Sequence, residues 1–199
     1  MTKILRSAIL AGVCIGIAGF GYLAVGGVVG AVTFAFGLLA VVHYRLKLYT
    51  GTAGFIKKGE MAQLGLILAA NIVGCLLVAL MARMSPMPLH DTAQHSLQGR
   101  LGAGIVQCGV LAIGCGFIMT TAVKWAREDK FLPLLFGVPL FIICGFPHCI
   151  ADAFYYLCVP VDYLTANAPQ VLLLYASIVI GNFIGCNLTR LILGTNSPS

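Results

Sequence analysis

Apolar residues run through this chain in long blocks with few polar interruptions. Blocks of about 20 predominantly apolar residues, enough to cross the hydrocarbon core of a bilayer, fall near 7–25, 28–56, 62–84, 101–124, 132–158 and 170–193. Six such blocks nearly exhaust the sequence, so the pattern predicts an all-α membrane protein of six transmembrane helices with residues 1–199 as a single transmembrane domain. Two blocks are irregular. The second opens as an apolar helix and then reads HYRLKLYTGTAGF (43–55), and the fifth is interrupted at CGFPHC (144–149). Non-helical backbone at membrane depth survives only where it is buried in protein or lines a watery cavity, so helices two and five are expected to be broken around a pathway.

The blocks also echo one another. AANIVGCLLVAL (69–80) parallels IGNFIGCNLTRL (180–191), aligning Asn71, Gly74 and Cys75 with Asn182, Gly185 and Cys186. IGIAGF (15–20) parallels IGCGF (113–117), and FAFGLL (34–39) stands one hundred residues before LLFGVP (134–139). The echoes pair segment one with four, two with five and three with six, which predicts two three-helix repeats, about 1–84 and 101–193, joined by an external connection at about 85–100. Three spans per half invert the second repeat relative to the first, a plan found in channels and secondary transporters with the pathway at the repeat interface.

Composition agrees with this reading, being 60% hydrophobic and 9% charged with a mean hydropathy of +1.00. The 24 glycines suit helices packed through small faces. Lys3, Arg6, Lys57, Lys58, Lys124, Arg127, Lys130 and Arg190 flank one set of helix ends and Arg100 and Arg83 the other, so the bias of positive residues predicts a multi-pass protein of the cell (inner or plasma) membrane with both termini cytoplasmic. The net charge of +6 reports topology, and no soluble basic patch for nucleic acid exists. The eight cysteines all lie in or at the ends of apolar blocks without C-x-x-C spacing, as small packing residues do. No metal or cofactor is expected.

The residues at the two breaks carry a resemblance. FGLLAVVHYRLKLYTG (36–51), GFPHCIADAFYY (145–156) and IGNFIGC (180–186), with AGVCIGIAGFGYL (11–23), make the chain similar to the formate/nitrite transporter family over nearly its whole length. That resemblance implies a homopentamer of aquaporin-like protomers conducting small monovalent anions and protons across membrane lipids. It places His148 at the central pore histidine and Thr50 on the loop facing it. It also places Phe34 and Phe141 at the outer constriction, Leu38 and Leu48 at the inner one, and Asn182 near the cytoplasmic mouth. The chain departs from the family pattern where Lys47 and Pro147 replace glutamates and Asp152 replaces an asparagine.

Each of these residues also has an ordinary structural reading. An ionisable residue inside a membrane is a functional candidate by default, yet backbone freed at the Pro147 break offers His148 partners as well. Asp152 follows His148 by four residues and shares a helical face with it; pairing with His148 is one reading, and capping or pairing with another group, Lys47 included, is the other. Lys47 modulates charge at the inner mouth by focusing anions or simply snorkels. Asn71 and Asn182, each in a run leading to glycine, have a reading in which they tie the broken segments to their neighbours by hydrogen bonds, and for Asn71 that reading is the expected one. The expected function is a channel or transporter, not an enzyme, for anions of weak acids of the formate or nitrite class, with passage coupled to protonation near His148. A neutral-solute pore for water or ammonia is the alternative, and a haem or redox subunit a weaker one, since no histidine pair recurs on facing helices.

Overall fold

A computed structural model describes residues 1–57 and 59–194. Lys58, one of the flanking lysines, and the tail from Thr195 lie outside the described residues. The chain forms α1 (Thr2–Val25), α2 (Gly27–His43), α3 (Tyr49–Ala53), α4 (Met61–Ala82), α5 (Leu89–Ala103) and α6 (Ile105–Ala126). It continues as α7 (Leu132–Ile143), α8 (Cys149–Cys158), α9 (Val161–Ala166), α10 (Ala168–Cys186) and α11 (Leu188–Leu193), with no strand among the described residues. Helices α1, α4, α6 and α10 are long and apolar enough to cross a membrane, while α2, α7 and α8 are apolar but shorter. Large apolar side chains such as Phe36, Leu77, Phe136 and Leu172 face outward, because a helix that is apolar all round has no polar stripe to present.

Two tight helix pairs frame the protein, α1 against α4 and α6 against α10. Glycine makes them possible. A Cβ on Gly12 would fall on the Asn71 carbonyl and one on Gly74 on the Ile9 carbonyl; likewise one on Gly116 would fall on the Asn182 carbonyl and one on Gly185 on the Ile113 carbonyl. The matched glycines of the first and fourth apolar blocks are thus Gly12 and Gly116, a register shifted from the IGIAGF and IGCGF echo, because backbone contact with the facing asparagine decides which glycine is needed. Helices α2 and α7 pack on each other between the two pairs.

The segment expected as an external connection is itself helical. Helix α5 runs to Ala103 and buries Leu89, Ala93 and Leu97, which recur at intervals of four, while its remaining polar residues kept its hydropathy low. Basic residues also gather at one set of helix ends. The Lys47 N–H donates to Ser7 Oγ at 3.1 Å, Arg127 to the Gly51 carbonyl at 3.1 Å and Arg190 to the Ile56 carbonyl at 3.0 Å. The start of α1, the α2–α3 turn, the end of α6 and helix α11 therefore meet at one basic end. Arg100 lies at the other, beside the α7–α8 turn.

Replacing Gly185 with alanine should force α6 and α10 apart and cost at least the ~1–3 kcal/mol typical of overpacking. Gly65, which has open space around it, should accept alanine with no loss. Thermal unfolding of the two variants in detergent checks this; equal midpoints would show that the helix contact is not tight.

Candidate functional site

Two helix breaks build the site, and their backbones match residue for residue. After α2 the Tyr44 N–H bonds to the Ala40 carbonyl, Arg45 takes φ 51°, and the Leu46 N–H reaches back to the Val41 carbonyl at 2.8 Å. After α7 the Cys144 N–H bonds to the Leu140 carbonyl, Gly145 takes φ 69°, and the Phe146 N–H reaches back to the Phe141 carbonyl at 2.9 Å. The left-handed residue ends each helix; glycine adopts it freely at 145, whereas Arg45 carries a side-chain cost. Leu48 and His148 are then extended, and α3 and α8 begin.

One asparagine stitches each break. Asn71 Oδ1 accepts from the Tyr49 N–H at 2.9 Å, and its Nδ2 donates to the carbonyls of Ala8 at 2.7 Å and Lys47 at 2.9 Å. Asn182 Oδ1 accepts from the Cys149 N–H at 2.8 Å, and its Nδ2 donates to the carbonyls of Ala112 at 2.8 Å and Pro147 at 2.9 Å. Both side chains are fully buried. The Asn182 amide is thus engaged by backbone on both its oxygen and its nitrogen, as is that of Asn71. The thiols behind them are also matched, with Cys75 donating to the Ile150 carbonyl and Cys186 to the Thr50 carbonyl, each at 3.4 Å.

Between the breaks, Thr50 Oγ1 lies 3.0 Å from His148 Nε2, both buried. His148 Nδ1 accepts the Ala151 N–H at 3.1 Å and so caps α8. That bond fixes the tautomer: a ring nitrogen that accepts from a backbone N–H carries no proton, so the neutral ring bears its proton on Nε2 and donates it to Thr50. The Thr50 hydroxyl keeps its own proton for a further acceptor. Phe141 stacks on His148 with centroids 5.5 Å apart, and Phe34 meets Phe141 edge-on at 6.2 Å. Leu38 and Leu48 are also fully buried in this core.

Asp152 pairs with neither His148 nor Lys47. Its carboxylate faces Arg100 at 3.4 Å, and its N–H donates to the His148 carbonyl at 2.8 Å. Lys47 is exposed on the basic side, where a cavity of about 710 Å³ is lined by His43, Arg45, Lys47, Thr52, Arg127 and Asp129 among others. Arg127 also lies 3.8 Å above the Phe55 ring; burial lowers its pKa, but guanidinium stays charged from so high a starting value. Sequence reading treated Arg127 and Arg100 only as topology markers. Their signal was position alone, a basic residue at the end of a block.

The formate/nitrite transporter family model matches residues 1–195. The chain belongs to the formate/nitrite transporter family. Its members are transporters and not enzymes, and the apolar helices described above fit a multi-pass membrane protein. A solved "Pentameric formate channel with formate bound" is similar with a TM-score of 0.79 at 20% identity, over 97% of this chain and 95% of that one. An "FNT family ion channel" is similar with a TM-score of 0.81 at 20% identity, over 99% and 91%. A search of curated proteins finds no match. At such identity the likeness to these structures establishes the fold.

Replacing Asn182 with alanine removes one acceptor and two donors from fully buried backbone, each orphaned group costing about 1–3 kcal/mol. The variant should lose several degrees in thermal midpoint or fail to accumulate, and Asn71→Ala should do the same; unchanged stability in either would show that the breaks are held otherwise.

Proposed function

We propose that the protein is a channel for a small monovalent anion of a weak acid, of the formate or nitrite class, which crosses as the neutral acid past His148 and Thr50. The observation that carries this reading is the Thr50–His148 contact at 3.0 Å, set between two matched helix breaks and bordered by Phe34, Phe141, Leu38 and Leu48. The four long helices together with the broken pairs α2–α3 and α7–α8 make six spans in two inverted halves, with the pathway between the halves. The basic end faces the cytoplasm with both termini. The assembly is a homopentamer by likeness to the pentameric formate channel.

The chemistry follows from what each layer does to charge. Arg45, Lys47 and Arg127 raise the concentration of anions in the cavity they line. The phenylalanine and leucine collars offer no polar group, so a bare anion pays its desolvation there without return. A proton taken from vestibule water by the carboxylate or nitrite oxygen removes that charge; water is left as hydroxide, and the neutral acid enters. The Thr50 hydroxyl then donates to its carbonyl-type oxygen while His148 Nε2–H holds Thr50 in place. On the far side the acid returns its proton to water.

In this mechanism His148 is a neutral hydrogen-bond donor, because a second proton on Nδ1 would break the cap of α8. Uptake of labelled formate into proteoliposomes should rise as the outside pH falls, since acidification increases the neutral fraction. His148→Gln, whose amide still donates, should keep that pH dependence at a reduced rate, while His148→Ala should lose most uptake at every pH. A flat pH profile in His148→Gln would mean that the ring titrates during passage, and absence of any formate or nitrite flux in the wild type would remove the function itself.

A further inference from the structure

Among the described residues, Arg100 is the one arginine whose guanidinium touches both sides of the α7–α8 break. It leaves α5, donates through Nη1 to the carbonyl of Gly145, the left-handed residue that ends α7, and donates through Nε to Asp152 Oδ1 in the first turn of α8 at 3.4 Å. His148 stands between those two anchor points in sequence. The Arg100 side chain is 21% exposed and Asp152 only 1%, so the positive charge is turned inward and met by a carboxylate. Asp152 has no other ion partner among the described residues: its second oxygen, like the hydroxyls of Tyr156 and Tyr175, is buried without a protein partner. From α6 the Cys108 thiol donates to the Arg100 carbonyl at 3.4 Å. The titratable groups near the pair are thus Cys108 from α6, Tyr155 and Tyr156 from α8 and Tyr175 from α10.

We propose that Arg100 and Asp152 form a clasp across the helix break that positions His148 against Thr50, and that Arg100 is a positioning residue and not an anion-gathering charge. The inference rests on the pore role of His148 argued above. A guanidinium suits it because its planar fork of N–H groups reaches two acceptors at once in fixed geometry, whereas the lysine ammonium is a compact point charge on a flexible stem. It also explains why α5 is folded and docked: a loose connection would deliver the arginine without holding it.

Two properties separate the clasp from a gathering charge. A gathering charge is kept by Arg100→Lys and strengthened by Asp152→Asn, which removes the neutralising carboxylate. A clasp is broken by both. The test is formate uptake per folded protein in proteoliposomes, with size-exclusion profiles fixing the folded amount, for wild type, Arg100→Lys, Asp152→Asn and the Arg100→Gln/Asp152→Asn pair, beside His148→Ala. Each single variant should lose maximal uptake about tenfold or more, the scale on which misplaced groups act, while the half-saturating concentration stays within about twofold by that same logic. The double variant, in which two amides can bond without an uncompensated charge, should recover part of the loss. Mere loss of folded protein is removed by the normalisation, whereas a misplaced histidine lowers maximal uptake per folded protein and is partly restored in the double variant.

Wild-type uptake in Arg100→Lys, or raised uptake in Asp152→Asn, overturns the clasp. Arg100→Lys keeps Asp152 neutralised and decides the question even if Asp152→Asn fails to fold. Uptake by His148→Ala equal to wild type would instead overturn the pore role of the histidine, a failure distinct from that of the clasp.

Discussion

A helix broken inside a membrane must find a partner for every backbone group the break frees, since lipid offers none. In this protein the requirement falls on two asparagines. Asn71 and Asn182 each spend one acceptor and both donors on the backbone around a break, and each stands on a helix pressed so close to its neighbour that only glycine fits the contact. Substituting the asparagine or the glycine would release the same strand of backbone. The rest of the site depends on that arrangement, because it lets two extended residues, Leu48 and His148, point out of helices that would otherwise turn their side chains sideways.

What the breaks achieve is a meeting of two side chains, one from each break, with their hydrogen bonding already decided. The α8 cap commits His148 Nδ1, so Nε2–H is left for Thr50. In the proposed mechanism the apolar side chains near the pair disfavour a charged solute while the Thr50 hydroxyl offers a hydrogen bond to a neutral one. A family of transporters for weak-acid anions is compatible with such a site, since these substrates change charge by taking up one proton from water.

Much of the fold was legible in the sequence because membrane helices announce themselves by length and hydropathy, and because Asn-x-x-Gly-Cys recurs at 71–75 and 182–186. The spacing of one hundred residues between the two breaks is equally plain once Arg45 and Gly145 are seen to share a left-handed backbone. The register of the first and fourth blocks was not, since many glycines compete there and only contact with a facing carbonyl selects Gly12 and Gly116. Nor was α5, whose buried positions are three among many polar ones. Asp152 could be placed on a helical face with His148, but its partner Arg100 lies 52 residues away and comes from a segment that read as a connection. For Asn182 residue type alone did not tell an amide that meets solute from one engaged by backbone, and the backbone bonds appear only in the structure.

The central claim is that His148 is a neutral donor held by the cap of α8. Imidazole nitrogen chemical shifts measured by solid-state NMR on histidine-labelled protein in bilayers test it most directly, with His148→Gln subtracted to separate it from His43, His90 and His95. The account predicts one protonated nitrogen, Nε2, and one bare nitrogen, Nδ1, throughout the range from about pH 5 to 8 in which histidines ordinarily change charge. A doubly protonated ring appearing within that range would contradict it.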